Sequence, residues 1–454
     1  MFIYWSYFYE KIRTQFQKIY FISFFRNIFL KTVENLKIQE YNLYMEVNIM
    51  KNINRKEYID FLIRSKDKQI IKVISGVRRC GKSTLFLLYR DYLLENGVLP
   101  EQIISINFED LAYEEYTDYR KLYKYINDNL IPDKKNYIFL DEIQHVEHFE
   151  KAVDSLFIKP NTDIYITGSN AYFMSGELAT LLSGRYVELK MLPLSFKEFC
   201  KGLENHNAEP TTALQKYNKY LTESSFPYTL ELEGNKKNIK EYLEGIYNSI
   251  ILKDVITRTK VGNPLVLESV IKFLFDNIGN LLSSSKIANT LTSLGRKTDY
   301  KTVEKYIKGL TDSLILYEAK RYDIKGKQLL ANLSKYYIVD IALRQLLLGN
   351  KSSDLGHILE NIIYLELIRR EYEVYVGQLK NSEVDFVAVN GEEINYFQIS
   401  LTVLDENTLA RELRPLQEIK DNYPKYLITL DELLPNSNYN GIKRLNAIEW
   451  LLGD

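Results

Sequence analysis

The chain has 454 residues, more than one ordinary core encloses, so two to four domains are expected. Hydrophobic residues make up 46% and charged residues 26%, which excludes wholesale disorder, and 59 Lys plus Arg against 60 Asp plus Glu excludes a global field drawing the chain onto nucleic acid or acidic lipid. Two cysteines, Cys80 and Cys200, and four scattered histidines exclude a disulfide framework and zinc spacing, and point to a reducing, cytoplasmic compartment.

Residues 1–49 are aromatic and basic by turns. Their apolar run, 21–25, ends at Arg26, so no transmembrane segment is expected there. An amphipathic membrane-surface anchor is one reading. The preferred one is a poorly ordered or artefactual extension, with translation starting at Met45 or Met50, because domain-like sequence begins just after Met50.

Residues 70–75 (IIKVIS) read as a buried strand, followed by Gly76-Val77-Arg78-Arg79-Cys80-Gly81-Lys82-Ser83-Thr84 and then an apolar-sided helix. That context suits a phosphate-binding loop: glycines let the backbone close around an anion, and N–H groups at a helix start converge on it. Lys82 is expected to reach the β- and γ-phosphates and Ser83 to ligate Mg²⁺. Arg78 and Arg79 are phosphate contacts or solvated loop residues.

The strand-like run IISINFED, 103–110, is read as the strand added between the loop strand and an acidic strand. The acidic strand is 137–142, Tyr-Ile-Phe-Leu-Asp-Glu, four apolar residues that deliver two carboxylates. Asp141 is assigned to the Mg²⁺ shell and Glu142 to orienting and polarising the attacking water. A third strand begins at Asp163, and its polar end, Ser169 and Asn170, reads equally as a γ-phosphate contact or a helix cap. Arg185 is a candidate charge-stabilising finger, in cis or across a subunit interface of an oligomer, or else a surface ion pair.

Together GVRRCGKST, INFED, YIFLDEIQ, ITGSN, SGRYVEL and LPLSFKEF resemble bacterial and archaeal AAA-type ATPases that carry a C-terminal domain of unknown function of the 4143 type. The resemblance spans residues 50–454 and implies ATP as ligand, with the roles given above for Lys82, Ser83, Asp141 and Glu142. The family often has Gly-Gly where this chain has Ser224-Ser225, which removes the residue type a tight turn there favours.

Residues 196–260 are expected to form a helical extension over the nucleotide site, with Leu243, Ile246, Tyr247 and Ile250 at helical spacing. Residues 264–340 resemble a winged helix-turn-helix: helices over 264–277, 284–294 and 298–314, then two wing strands. Val303, Tyr306, Ile307 and Leu310 face inward in the third helix; Lys301, Lys305 and Lys308 form an outer face with two readings, DNA contact or protein docking.

The stretch 355–402 resembles the PD-(D/E)xK nuclease fold. Glu360 and Asp385 match its acids, but Gln398 and Ser400 stand where an acid and a lysine are needed, so the module is read as a fold without the chemistry. The expected class is therefore α/β: a P-loop three-layer parallel-sheet ATPase core (50–195), a helical extension (196–260), a winged-helix-like module (261–350) and a restriction-endonuclease-like domain (351–454). The leading functional expectation is an ATP-driven switch acting on an unidentified protein or nucleic-acid partner. The alternatives are an ATP-gated DNA-binding or nuclease protein and a scaffold that binds nucleotide without hydrolysing it.

Overall fold

A computed structural model of the protein describes residues 53–169, 182, 184–205, 211–256, 262–349, 354–433 and 437–453. The expectations for residues 1–49 and for Asn170 lie outside that set. Among the described residues no helix is long and apolar enough to cross a membrane.

Short continuous apolar runs build the first sheet. Strands β1 (Ile71–Gly76), β2 (Ile103–Asn107), β3 (Asn136–Asp141), β4 (Thr162–Ser169) and β5 (Tyr186–Met191) lie in the order β2-β3-β4-β1-β5, all parallel. Alternate residues serve opposite faces. Ile138, Leu140, Ile164 and Ile166 pack on helices α3 (Tyr119–Asp128) and α4 (Phe149–Phe157). Tyr137, Phe139 and Tyr165 pack with α1 (Lys56–Ser65) and α2 (Lys82–Glu95) on the other face. Helices thus cover both faces, which is why the strands read as unbroken apolar runs. The strand order corrects one expectation. β2 is an edge strand, and the strand that separates β1 from β3 in space is β4.

Helices α5 (Phe196–Asn205), α6 (Ala213–Glu223) and α7 (Lys236–Ser249) follow, the last running into a π-helical turn over Ile250–Ile256. Asn235 and Thr212 cap α7 and α6 with side-chain oxygens. Leu243, Ile246 and Ile250 are buried as their spacing requires. The chain between α6 and α7 does turn tightly, and Ser224 adopts a left-handed φ of 83° without glycine. Asp340 holds it, accepting hydrogen bonds from Ser224 Oγ (3.0 Å), Ser225 N (2.7 Å) and Ser225 Oγ (2.6 Å). These bonds to a buried carboxylate offset the cost of the left-handed backbone.

Three helices come next: α8 (Pro264–Asp276), α9 (Ser284–Ser293) and α10 (Tyr300–Asp312), followed by the hairpin β6 (Leu316–Asp323) and β7 (Gln328–Ile338). Leu282, between α8 and α9, forms an antiparallel bridge to Ser334 of β7. Helix α11 (Ile341–Leu348) leads to α12 (Leu355–Arg369), β8 (Glu373–Gln378), β9 (Glu383–Asn390), β10 (Glu393–Ser400), α13 (Glu406–Glu418), β11 (Lys425–Thr429), β12 (Asn438–Tyr439), β13 (Ile442–Asn446) and α14 (Ala447–Leu452).

The second sheet runs β12-β13-β11-β10-β9-β8-β6-β7. Since β6 pairs in parallel with β8, the hairpin expected as the wing strands extends the C-terminal sheet, and hydrogen bonds cross the expected border at 350/351. Packing is equally continuous. One core joins Leu85 and Phe86 near the loop to Ile246, Leu274, Tyr337, Ile363 and Phe397, and Ile53–Asp454 form one compact unit.

Candidate functional site

The phosphate-binding loop is fixed from below. Gly76 ends β1, and a Cβ on it would stand 2.5 Å from the Met191 carbonyl oxygen and 2.8 Å from Cys80 Sγ, so only glycine lets β5 approach. Gly81 caps α2 with φ 102°, a conformation that again suits glycine. Val77 and Cys80 are buried and anchor the loop, Arg78 is half-buried and Arg79 is exposed. Burial pushes the Cys80 thiol up, so it stays a packing residue. Helix α2 begins at Lys82, and the leading N–H groups of a helix have no partner within it, the geometry of an anion nest.

Lys82 Nζ donates to the carbonyls of Gly76 (3.2 Å) and Val77 (3.4 Å) and stands 3.8 Å from Glu142 Oε1. These contacts are long for an ammonium group, so a triphosphate can draw it away at small cost. Asp141 is buried at the end of β3, with Ser83 and Thr167 hydrogen-bonded to its carboxylate. Burial pushes the Asp141 carboxyl up against those two bonds, so its charged form gains from a nearby cation. A serine hydroxyl and a buried carboxylate are hard oxygen donors, and they fit Mg²⁺.

Sequence reasoning missed Thr167. Its hydroxyl donates to Asp141 Oδ1 and accepts from the Glu142 backbone N–H at 3.0 Å, fixing both acids at once. The signal was present: a threonine in a buried apolar strand, one residue past Ile166, which is level with Leu140. The expected polar residues lay beyond it. Ser169 closes β4 level with Gly76. Thr84 follows Ser83 in the first turn of α2.

Arg185 is placed elsewhere. It precedes β5, and its carbonyl accepts from Ile71 N (2.9 Å) at the start of β1, the sheet edge opposite Gly76. Five residues of strand separate the two levels, about 17 Å. Its guanidinium lies 3.6 Å from Asp154 and 5.5 Å from the Phe157 ring centroid. The register therefore places Arg185 away from its own chain's loop, against the cis finger, and pairs it with Asp154; the reading across a subunit interface is untouched by it.

The helical extension reaches the loop through Pro227, whose Cγ is 3.8 Å from where a Gly81 Cβ would be. Arg369 of α12 donates to the Pro193 carbonyl (2.8 Å), just past β5, and pairs with Glu366 (2.8 Å).

The second sheet carries a charged cluster. Glu360 and Asp385, the two acids read from the sequence, come together with Glu383, and a lysine arrives from β7. Lys335 Nζ stands 2.9 Å from Glu360, 2.9 Å from Glu383 and 3.4 Å from Asp385. Tyr337 donates to Glu360 (2.7 Å), and His357 Nδ1 lies 3.4 Å from the same carboxylate. Burial, then the Glu360 charge beside it, pushes the Asp385 carboxyl up to about 7. Burial also opposes ionisation of Glu360, yet the Lys335 ammonium and the His357 and Tyr337 hydrogen bonds hold its carboxyl below the usual range. Gln398 turns its amide to Glu412 (2.8 Å), and Ser400 bonds the Thr402 carbonyl (3.1 Å). Lys335 faces all three carboxylates, and among the described residues no group of three or more His, Cys, Asp or Glu side chains is arranged to hold a metal.

Comparison with known proteins finds a family match over the region that holds this loop. Residues 68–200 match the model of an AAA domain, and residues 214–354 match that of a domain of unknown function, DUF8612. An uncharacterized protein of Haemophilus influenzae is 43% identical over 401 residues, covering 88% of this chain and 98% of that one. An uncharacterized protein of Methanocaldococcus jannaschii is 33% identical over 371 residues, 77% of this chain and 79% of that one. Among solved structures, a Walker-type ATPase of Pyrococcus abyssi aligns at 17% identity and a TM-score of 0.45, over 65% of this chain and 95% of that chain.

Proposed function

This chain belongs to a bacterial and archaeal family in which an AAA domain is followed by a domain of unknown function, and from that premise we propose that it is an ATP-hydrolysing switch whose nucleotide state acts on its C-terminal part. One observation carries the reading: Lys82, Ser83, Asp141, Glu142 and Thr167 meet at the C-terminal ends of β1, β3 and β4, beside the N-terminus of α2. Lys82 leaves the loop carbonyls for the β- and γ-phosphates. Ser83 and Asp141 hold Mg²⁺, which when bound supplies positive charge to the phosphate oxygens. Glu142 takes a proton from the attacking water.

The switch reading draws on contacts that leave the site directly. Pro227 sits against Gly81, Asp340 ties Ser224 and Ser225 to the start of α11, and Arg369 ties α12 to Pro193. Reordering the loop therefore moves elements that also carry the second sheet. Binding is tested by the melting temperature of the full chain. ATP with Mg²⁺ at about 100 times its Kd adds roughly 2.7 kcal/mol of stability, and Lys82→Ala is expected to remove most of that gain. An equal gain in the variant contradicts the site.

A second reading concerns the partner. Helices α8, α9 and α10, the Leu282 bridge and the β6–β7 hairpin follow the order of a winged helix. Lys301, Lys305 and Lys308 are exposed on α10, opposite buried Val303, Tyr306, Ile307 and Leu310. We infer that this face contacts nucleic acid. Changing the three lysines to Ala should then weaken duplex binding and flatten its salt dependence by about one log unit per lost phosphate contact. Unchanged binding would assign the face to protein docking.

A further inference from the structure

We propose that Gln144 is a second residue of the hydrolytic centre: its amide N–H₂ positions Glu142, and its amide oxygen accepts a hydrogen bond from the second O–H of the attacking water. The proposal rests on the ATPase reading above and adds to it a residue that the functional assignment leaves unused.

The geometry comes from the end of β3. Glu142 has a left-handed φ of 54°, which turns its side chain back toward Lys82, and a 3₁₀ turn over Ile143–His145 then begins. Gln144 stands in that turn, and its Nε2 donates to Glu142 Oε2. The two carboxylate oxygens are thereby divided, Oε1 toward Lys82 at 3.8 Å and Oε2 toward Gln144. The other end of the same amide is unspent: Gln144 Oε1 is buried and has no hydrogen-bond partner among the described residues. A buried amide oxygen without a donor is costly and uncommon in a folded protein, so a donor is expected to arrive in the working state.

The attacking water is that donor. It carries two protons. One passes to Glu142 as the water oxygen bonds to the γ-phosphorus. The bond from that phosphorus to the β–γ bridging oxygen breaks, and its electron pair stays on ADP. The second proton remains on the new phosphate oxygen, and through the step it is hydrogen-bonded to Gln144 Oε1. Because the same amide grips Glu142, base and water are aligned by one planar group, the kind of orientation that lowers a barrier without tightening substrate binding.

The test is steady-state phosphate release by the full chain with Gln144→Leu, which removes donor and acceptor, and Gln144→Glu, of the same shape, which removes the donor and sets a like charge beside Glu142. Both should lower kcat by about 10- to 100-fold, within the range a positioned proton-transfer group contributes. KM for ATP and the ATP-induced rise in melting temperature should stay within about two-fold of wild type, as for any interaction made only in the transition state. If Gln144→Leu does not fold, Gln144→Glu carries the same comparison. A kcat within two-fold of wild type, or a fall in kcat matched by lost ATP affinity, overturns the proposal. Glu142→Gln, measured alongside, separates the two levels. A strong Glu142 effect beside a silent Gln144 sinks only this inference, whereas no Glu142 effect sinks the ATPase reading with it.

Discussion

Lys82 and Lys335 each face carboxylates beside a sheet, and their settings differ. Lys82 makes contacts of 3.2, 3.4 and 3.8 Å, two of them to backbone carbonyls of the loop that should open for phosphate. Lys335 sits at 2.9, 2.9 and 3.4 Å from three carboxylates, one of them gripped further by Tyr337. A cation held loosely against carbonyls can be drawn away by a stronger anion. A buried cation already matched to three acids has no reason to leave, and removing it strands charge. On the proposed function, the same residue type thus serves a ligand beside one sheet and the structure beside the other.

The largest expected effect breaks the second setting. Lys335→Met should cost about 3–5 kcal/mol of stability, the usual result of removing one partner from a buried ion pair. Denaturant unfolding measures it, and Lys82→Met should cost clearly less while abolishing the ATP-induced stabilisation. Equal costs would erase the distinction between the two lysines. Next in size is the floor of the loop. Gly76→Ala pushes a Cβ to 2.5 Å from the Met191 carbonyl, so a loss of about 1–3 kcal/mol and weaker ATP binding are expected. Asp340→Asn, which discharges the acceptor of three hydrogen bonds from Ser224 and Ser225, should cost about 1–3 kcal/mol in the same assay.

The smallest effect is a pH dependence. The His357 hydrogen bond to Glu360 outweighs burial and raises the His357 pKa. A raised folded-state pKa gives stability that is complete below the unfolded value near 6.5 and is lost as pH rises through the folded value. Comparing unfolding of wild type and His357→Gln from pH 5 to 9 should therefore show a wild-type advantage confined to the acid side. An advantage that grows toward alkaline pH would reverse the sign of the His357–Glu360 interaction.

How much of this was legible in the sequence depended on distance along the chain. The phosphate-binding loop and the Asp141–Glu142 pair are local patterns: glycines, a lysine and a strand ending in acids declare themselves within ten residues or so. Thr167 was hidden because its role comes from lying level with Asp141 across a parallel ladder, which no local pattern encodes. Arg185 shows the same limit in reverse. Its residue type suited a finger, but the β1–β5 register carried it to the end of the strands opposite its own chain's loop. The three helices and the hairpin after residue 263 were readable from periodicity. That the hairpin would join β8, and so deliver Lys335 to acids 25 to 50 residues away, was not. The Ser224 turn shows that a glycine rule can be overridden by one well-placed carboxylate, here 116 residues downstream.

Phosphate release from ATP by purified full-length protein, with and without Glu142→Gln, bears most directly on the site built from Lys82, Asp141 and Glu142. A wild-type rate that falls about 100-fold or more in the variant, with ATP still bound, is the expected result. Indistinguishable rates in the two proteins would contradict hydrolysis and leave a nucleotide-binding scaffold in its place.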